Sequence, residues 1–195
     1  MKTLLVIAHP RRSSLTGQVA DAFSEAAQAN GHAIETADLA RERFDPVLRE
    51  PDEPDWNDPD KVYSEDVRRE MQRIERNEAT VMVFPVYWWS MPALLKGWID
   101  RVWNNGWAYG ARKLKHRKAL LLATAAGNAE SYAKRGYDQA MRVQILTGTM
   151  EYCGIPESEL HLLFDALDDG EARGRHLATA RQLGETYFGV VGVDA

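Results

Sequence analysis

Residues 85–91, Pro-Val-Tyr-Trp-Trp-Ser-Met, set Tyr87, Trp88 and Trp89 between a continuous apolar run at 79–84 and a stretch whose apolar residues repeat at helical spacing. Five of the six tryptophans fall between Trp88 and Trp107. Rigid apolar plates at this density suit the stacking of a flat heterocycle better than they suit a solvated loop. Two other segments carry complementary chemistry. His9, Ser13, Ser14 and Thr16 supply donors and hydroxyls just ahead of a predicted helix, whose free amides and positive end attract a phosphate. Thr124, Ala125, Ala126 and Gly127 are small enough to let the backbone approach a ring edge. The sequence contains neither G-x-G-x-x-G nor a P-loop, so a dinucleotide Rossmann fingerprint does not hold the ligand. Ser90 lacks the G-x-S-x-G elbow and there is no H-E-x-x-H, which removes the corresponding hydrolase readings.

These loops need strands and helices to position them. The run at 79–84 reads as a strand buried on both faces, and Pro92 as the first residue of the helix carrying Leu94, Leu95, Trp98, Ile99, Val102 and Trp103. Residues 3–8 form a strand by composition. A helix follows with Leu15, Val19, Ala22, Phe23, Ala26 and Ala27 on one face, stopped by Asn30-Gly31. With a second strand at 33–39 this makes a right-handed β-α-β unit. Ser64 is placed to cap a helix running to Asn77, and strands at 119–124 and 160–164 precede a last helix with Leu177, Ala180, Leu183, Tyr187 and Phe188. The expectation is one α/β domain over 1–195: a doubly wound, five-stranded parallel sheet with helices on both faces. All three ligand-binding loops then leave the carboxyl ends of strands, where open α/β sheets bind their ligands. Residues 41–63, with Pro46, Pro51, Pro54 and Pro59, form a long excursion. It reads either as a surface loop or as a lid or partner-chain contact carrying Phe44, Val47, Leu48, Trp56 and Tyr63.

With 195 residues, 45% of them hydrophobic, and a net charge of −5, the chain supports one buried core and argues against general nucleic-acid binding, which needs surplus Lys and Arg. No 18-residue apolar run is present and the opening residues 1–8 are too short for a signal-peptide core, so the expectation is a cytoplasmic protein without membrane insertion. The single Cys153 excludes an internal disulfide and a Cys-only metal site, and reads as a buried, inert thiol; no metal is expected. The basic run at 113–118 reads as the solvated approach to a strand or, less simply, as cations for a phosphorylated cosubstrate.

Taken together, Ala8-His9-Pro10 with Ser14 and Thr16, Phe84-Pro85, the block from Trp88 through Pro92-Ala93-Leu94-Leu95-Lys96-Gly97-Trp98-Ile99-Asp100-Arg101-Val102, Gly106-Trp107-Ala108-Tyr109-Gly110, and Tyr132 with Gly136-Tyr137 resemble the flavodoxin-like NAD(P)H:quinone oxidoreductases. That family includes DT-diaphorase, the modulator-of-drug-activity enzymes and the ancillary flavoproteins of potassium efflux. The resemblance implies strand order 2-1-3-4-5, a bound FAD or FMN, NADPH or NADH as cosubstrate, and two-electron, ping-pong hydride transfer to quinones or similar flat acceptors. It implies that His9, Ser14, Leu15 and Thr16 meet the flavin's phosphate and ribityl chain. Pro85, Val86, Tyr87, Trp88 and Trp89 would line its ring, and Thr124, Ala125, Ala126 and Gly127 would present amides to its edge. Tyr132 matches the family tyrosine that assists hydride transfer. Trp107 and Tyr109 become candidate acceptor-side walls in a homodimer with shared active sites. Asp138 stands where DT-diaphorase-type enzymes carry a histidine, which breaks the usual Tyr-His relay. The alternative is a flavin-binding regulatory subunit that docks on a membrane ion-efflux transporter.

Overall fold

A computed structural model describes residues 1–168 and 170–189. Five strands, β1 (Lys2–Ile7), β2 (Ala33–Asp38), β3 (Ala79–Pro85), β4 (Lys118–Thr124) and β5 (Glu157–Leu163), form one sheet in the order β2-β1-β3-β4-β5. All four strand pairings are parallel. The helices are α1 (Leu15–Ala29), α2 (Glu65–Glu75), α3 (Ala93–Val102), α4 (Ala129–Arg135), α5 (Tyr137–Arg142), which runs on through π-helical turns at Val143–Glu151, and α6 (Glu171–Thr186). This is the expected flavodoxin-like topology. No helix among the described residues is long and apolar enough to cross a membrane.

Alternation along the strands divides the core between two faces. Leu5, Ile7, Val81, Val83, Leu120 and Leu122 pack against Val19 and Phe23 of α1 and Ala180 of α6. Leu4, Val6, Met82, Phe84 and Leu121 face the other way, onto Ile74 of α2, Leu95, Trp98 and Val102 of α3, and Met141 of α5. The interior strands are covered on both sides, which is why they read as unbroken apolar runs. On the α1 face, a Cβ on Gly184 would lie 2.5 Å from the Phe23 carbonyl, so glycine lets α6 settle close to α1. On the other face, fully buried Trp98 donates its indole N–H to Glu70 at 3.1 Å.

Three local expectations shift. Pro92 is the cap residue and α3 starts at Ala93. Ser64 precedes α2 as expected, but its hydroxyl donates to Asp52 (2.8 Å) and Asp66 (2.6 Å) instead of accepting from the helix. β5 begins at Glu157, earlier than its apolar residues suggest.

The 41–63 excursion is fastened to α3 by buried chemistry. Arg101, 5% exposed, donates to the Asp52 carboxylate at 2.7 Å and to the Asp45 carbonyl at 2.6 Å, and also pairs with Asp66 at 2.8 Å. Gly97 and Gly106 have no room for a Cβ, which would lie 2.2 Å from the Pro46 carbonyl and 2.0 Å from that of Pro59. Glycine at these two positions lets the excursion lie flat on the body of the protein.

Candidate functional site

The sheet register sets Pro85 beside Thr124 and Thr124 beside Leu163, so the loops after β3, β4 and β5 emerge at one edge. The loop after β1 joins them through side chains and backbone. Thr16 Oγ1 lies 2.9 Å from Thr124 Oγ1 in a buried hydroxyl pair. Val86 N–H donates to the Thr124 carbonyl at 2.8 Å, and Ala125 N–H to that of Leu163, also at 2.8 Å.

Ser14 caps α1 by accepting from Gly17 N–H at 3.2 Å, leaving the amides of Leu15 and Thr16 at the open, positive end of a 15-residue helix. Gly17 must be glycine, since a Cβ there would lie 1.9 Å from the Arg12 carbonyl. His9 Nδ1 lies 2.9 Å from the Arg11 backbone nitrogen and 3.0 Å from its carbonyl oxygen, which ties the ring to the Arg11 main chain. Burial pushes the His9 pKa below its usual value and keeps the ring neutral.

The aromatic loop is a two-residue hairpin turn. Tyr87 and Ser90 exchange backbone hydrogen bonds of 3.1 Å in both directions, and Trp88 and Trp89 occupy the two central positions with φ of 51° and 52°. Such turns favour Asn-Gly, and an ordinary residue in this left-handed region costs about 1–2 kcal/mol. The return for that strain is exposure: Trp88 projects 87% solvent-accessible beside the mouth of the cleft. Trp89 folds inward onto Tyr137, ring centroids 4.1 Å apart and 33° from parallel.

Opposite the hairpin stands α4, capped by Asn128 accepting from Ser131 N–H at 2.8 Å and ended by Gly136 at φ 68°. Tyr132 packs edge-on against Phe164 and Tyr137, and burial raises its phenol pKa, so the hydroxyl stays protonated. A Cβ on Gly127 would meet the Tyr132 ring at 3.1 Å, so that loop is as close to the ring as a main chain can come. Between the two sides lies a cleft of about 550 Å³, lined by Val86, Trp88, Trp89, Ala126, Gly127, Ser131, Tyr132, Arg135 and Tyr137. An aromatic, carboxylate-free cleft next to an amide-lined helix start fits a flavin, a flat ring joined to a phosphate, and the residues needed to hold one are in place.

The structure thus gathers His9, Ser14, Leu15 and Thr16 with residues 85–89, residues 124–127 and Tyr132 at one edge of the sheet. It does not bring Trp107 or Tyr109 there. Trp107 donates to Glu75 at 2.7 Å in a pocket with Asn77 and His116, at the opposite end of the strands. Tyr109 packs against Trp56 and Tyr152 beside a depression lined by Pro46, Leu48, Trp103 and Cys153. The basic run at 113–118 also lies at that far end, with His116 buried and bonded to Thr80 at 2.8 Å. Asp138 lines a neighbouring groove of about 700 Å³ along the free edge of β5, with Arg142 and His176. That groove is larger, but it runs along the outermost strand and contains none of Trp88, Trp89, Tyr132 or Tyr137. Ser131 and Arg135 escaped the sequence reading, and Tyr137 entered it only as part of a motif.

Three comparisons agree with this geometry. The chain is 40% identical over 169 residues to an uncharacterized NAD(P)H oxidoreductase, YcaK, of Escherichia coli K12, covering 86% of each chain. The NAD(P)H:quinone oxidoreductase of Methanothermobacter marburgensis superposes with a TM-score of 0.91 at 30% identity, covering 98% of this chain and 99% of that one. The general stress protein 14 of Treponema denticola, solved in complex with FMN, superposes at 0.63 with 25% identity over 93% of this chain and 95% of its own. The profile of the flavodoxin-like fold family matches residues 1–185, and the chain belongs to that family, its relatives there being NAD(P)H oxidoreductases.

Proposed function

We propose that this protein is a flavin-dependent NAD(P)H oxidoreductase that passes two electrons to quinones or similar flat, electron-poor acceptors. The observation that carries the reading is the aromatic cleft between the Trp88-Trp89 hairpin and Tyr132, opening beside the amide-lined start of α1. His9, Ser14, Leu15 and Thr16 would hold the phosphate and ribityl chain of FMN or FAD. Pro85 to Trp89 and Thr124 to Gly127 would hold the ring. A flavin held there would supply the chemistry of two-electron hydride transfer between NADPH or NADH and the acceptor, in ping-pong order.

The chain's own part is positioning. The hairpin and Tyr137 offer flat walls on which cosubstrate and acceptor stack in turn. Tyr132, held protonated by burial, donates its phenolic proton as a hydrogen bond without releasing it. With no imidazole at position 138, the backbone amides of Ala126 and Gly127 carry the remaining charge stabilisation, since that of Ala125 is spent on the Leu163 carbonyl. Trp107 and Tyr109 serve as acceptor walls only if a second copy presents them. The exposed Leu48, Trp56 and Tyr152 around Tyr109 favour such a homodimer of single-domain subunits acting in the cytoplasm.

The test is an anaerobic absorption spectrum of the purified protein. Flavin bands that bleach with NADPH and return on adding a quinone support the enzyme. Bands that stay oxidised under both NADPH and NADH overturn it in favour of a regulatory subunit, and a colourless protein that no flavin reconstitutes overturns both.

A further inference from the structure

We propose that Arg135 makes the cleft selective for flat molecules carrying an anionic group. The inference deepens the flavoenzyme reading, because the same cleft is involved, but its test does not depend on turnover.

Arg135 is the one charged residue among the nine that line the cleft. Ser131, Tyr132 and Arg135 stand four, three and zero residues from the end of α4, so all three share one helix face, the face turned to the hairpin. The guanidinium is steadied from below, where Ser131 Oγ accepts from Nη1 at 3.0 Å. Gly136 then turns the chain at φ 68°, which stops α4 and leaves Arg135 at its exposed end. Among the described residues no carboxylate pairs with it. The nearest acids in sequence, Glu130 and Asp138, form no ion pair with it, and Asp138 lines the neighbouring groove instead. A guanidinium with free donors beside a stacking surface binds carboxylate, sulfonate or phosphate through charge-assisted hydrogen bonds. On a chain of net charge −5, such a local cation decides which anions enter.

The anion has two sources in this chemistry: the 2′-phosphate that distinguishes NADPH from NADH, or an acidic substituent on the acceptor ring. The cations at 113–118 do not compete for either within one chain, since they lie at the other end of the strands.

The first measurement is binding, read as quenching of tryptophan fluorescence in the flavin-loaded protein. The probes are 1,4-naphthoquinone-2-sulfonate, neutral 2-methyl-1,4-naphthoquinone, and the oxidised cosubstrates NADP+ and NAD+, which differ by the same 2′-phosphate and cannot reduce the flavin, against wild type, Arg135→Gln and Lys134→Gln. Arg135→Gln is expected to weaken one anionic probe of a matched pair about tenfold while leaving its neutral or 2′-unphosphorylated partner within twofold, and Lys134→Gln is expected to change neither pair. Loss on sulfonate alone assigns the anion to the acceptor, and loss on NADP+ alone assigns it to the cosubstrate. Unchanged discrimination in both pairs overturns the proposal, and so does an equal loss of charged and neutral probes. If the protein proves to carry no flavin, the same titration runs on the apoprotein. Discrimination that persists there and disappears in Arg135→Gln upholds the anion site while the enzyme reading falls.

Discussion

Thr16 and Thr124 touch through their hydroxyls, 2.9 Å apart and buried, where the phosphate-side segment meets the ring-side loop. One hydroxyl donates and the other accepts, so removing either leaves a buried polar atom without its partner, at a cost of about 1–3 kcal/mol. Replacing both by valine, which has the same shape, removes the need and costs less. The expected outcome in urea unfolding is therefore a loss in Thr16→Val and in Thr124→Val that is partly recovered in the double variant. Losses that simply add would show that the pair carries no coupling.

Trp88 and Trp89 hold left-handed backbone conformations that their side chains do not favour. Trp88 is mostly exposed and contacts Trp89 edge-on at 6.0 Å, so little packing offsets its strain. Trp88→Asn, a residue that tolerates this turn, is expected to leave stability unchanged or raise it by up to about 1 kcal/mol. The same change removes a ring wall, and flavin dissociation measured by fluorescence recovery is expected to accelerate. A destabilisation beyond about 1 kcal/mol would show that the indole supports the fold and not the ligand.

Much of this arrangement is legible in the sequence, for reasons that also explain what is not. β1, β3 and β4 are buried on both faces over nearly their whole length, so their residues are predominantly apolar or β-branched. β5 is an edge strand beginning Glu157-Ser158-Glu159, and its polar start hid its true beginning. The aromatic loop declared itself by density. The stack of Trp89 on Tyr137 joins segments far apart in the chain, and the alignment of Arg135 with Ser131 depends on where Gly136 stops α4, neither of which a local pattern contains. Trp107 and Tyr109 follow closely on Trp88 in sequence, which invited placing them in one site. The ten residues of α3 lie between, and at about 1.5 Å per residue they carry the chain back to the other end of the sheet. Whether the 41–63 excursion was loose or fixed was undecidable locally, because its anchor, Arg101, lies far along the chain.

Cys153 illustrates how placement settles reactivity. Burial pushes its thiol up to about 11, with the nearby Lys113 only partly opposing that shift. At pH 8 almost no thiolate forms, so iodoacetamide is expected to label the native protein far more slowly than the urea-unfolded one. Rapid native labelling at pH 8 would overturn the assignment. Cys153→Ala is expected to leave flavin content and turnover unchanged.

The anchor of the excursion is an acid-sensitive feature of the fold. Burial of Asp52 favours its neutral form, but hydrogen bonds from Arg101 and Ser64 outweigh it, and the net effect holds this carboxyl below the ordinary aspartate value. Asp66 is lowered in the same way. A carboxylate with a depressed folded-state pKa contributes stability that is present above its unfolded value, about 3.9, and is lost as pH falls through the lower folded value. Glu35, lowered to about 2 chiefly by its hydrogen bond from Arg76, acts in the same direction over its own window, from about 4.3 downward. Unfolding free energy measured from pH 5 to pH 2.5 is therefore expected to fall steadily, with a shallower slope in Asp52→Asn than in wild type. At pH 7, Asp52→Ala leaves the nearly buried Arg101 with Asp66 and the Asp45 carbonyl alone, and is expected to cost about 2–4 kcal/mol. It is also expected to open the bonds around residues 46–63 to proteolysis. If that segment stays protected while global stability drops, Arg101 supports the α3 face without holding the excursion, and the two glycine contacts at Gly97 and Gly106 are what keep it in place.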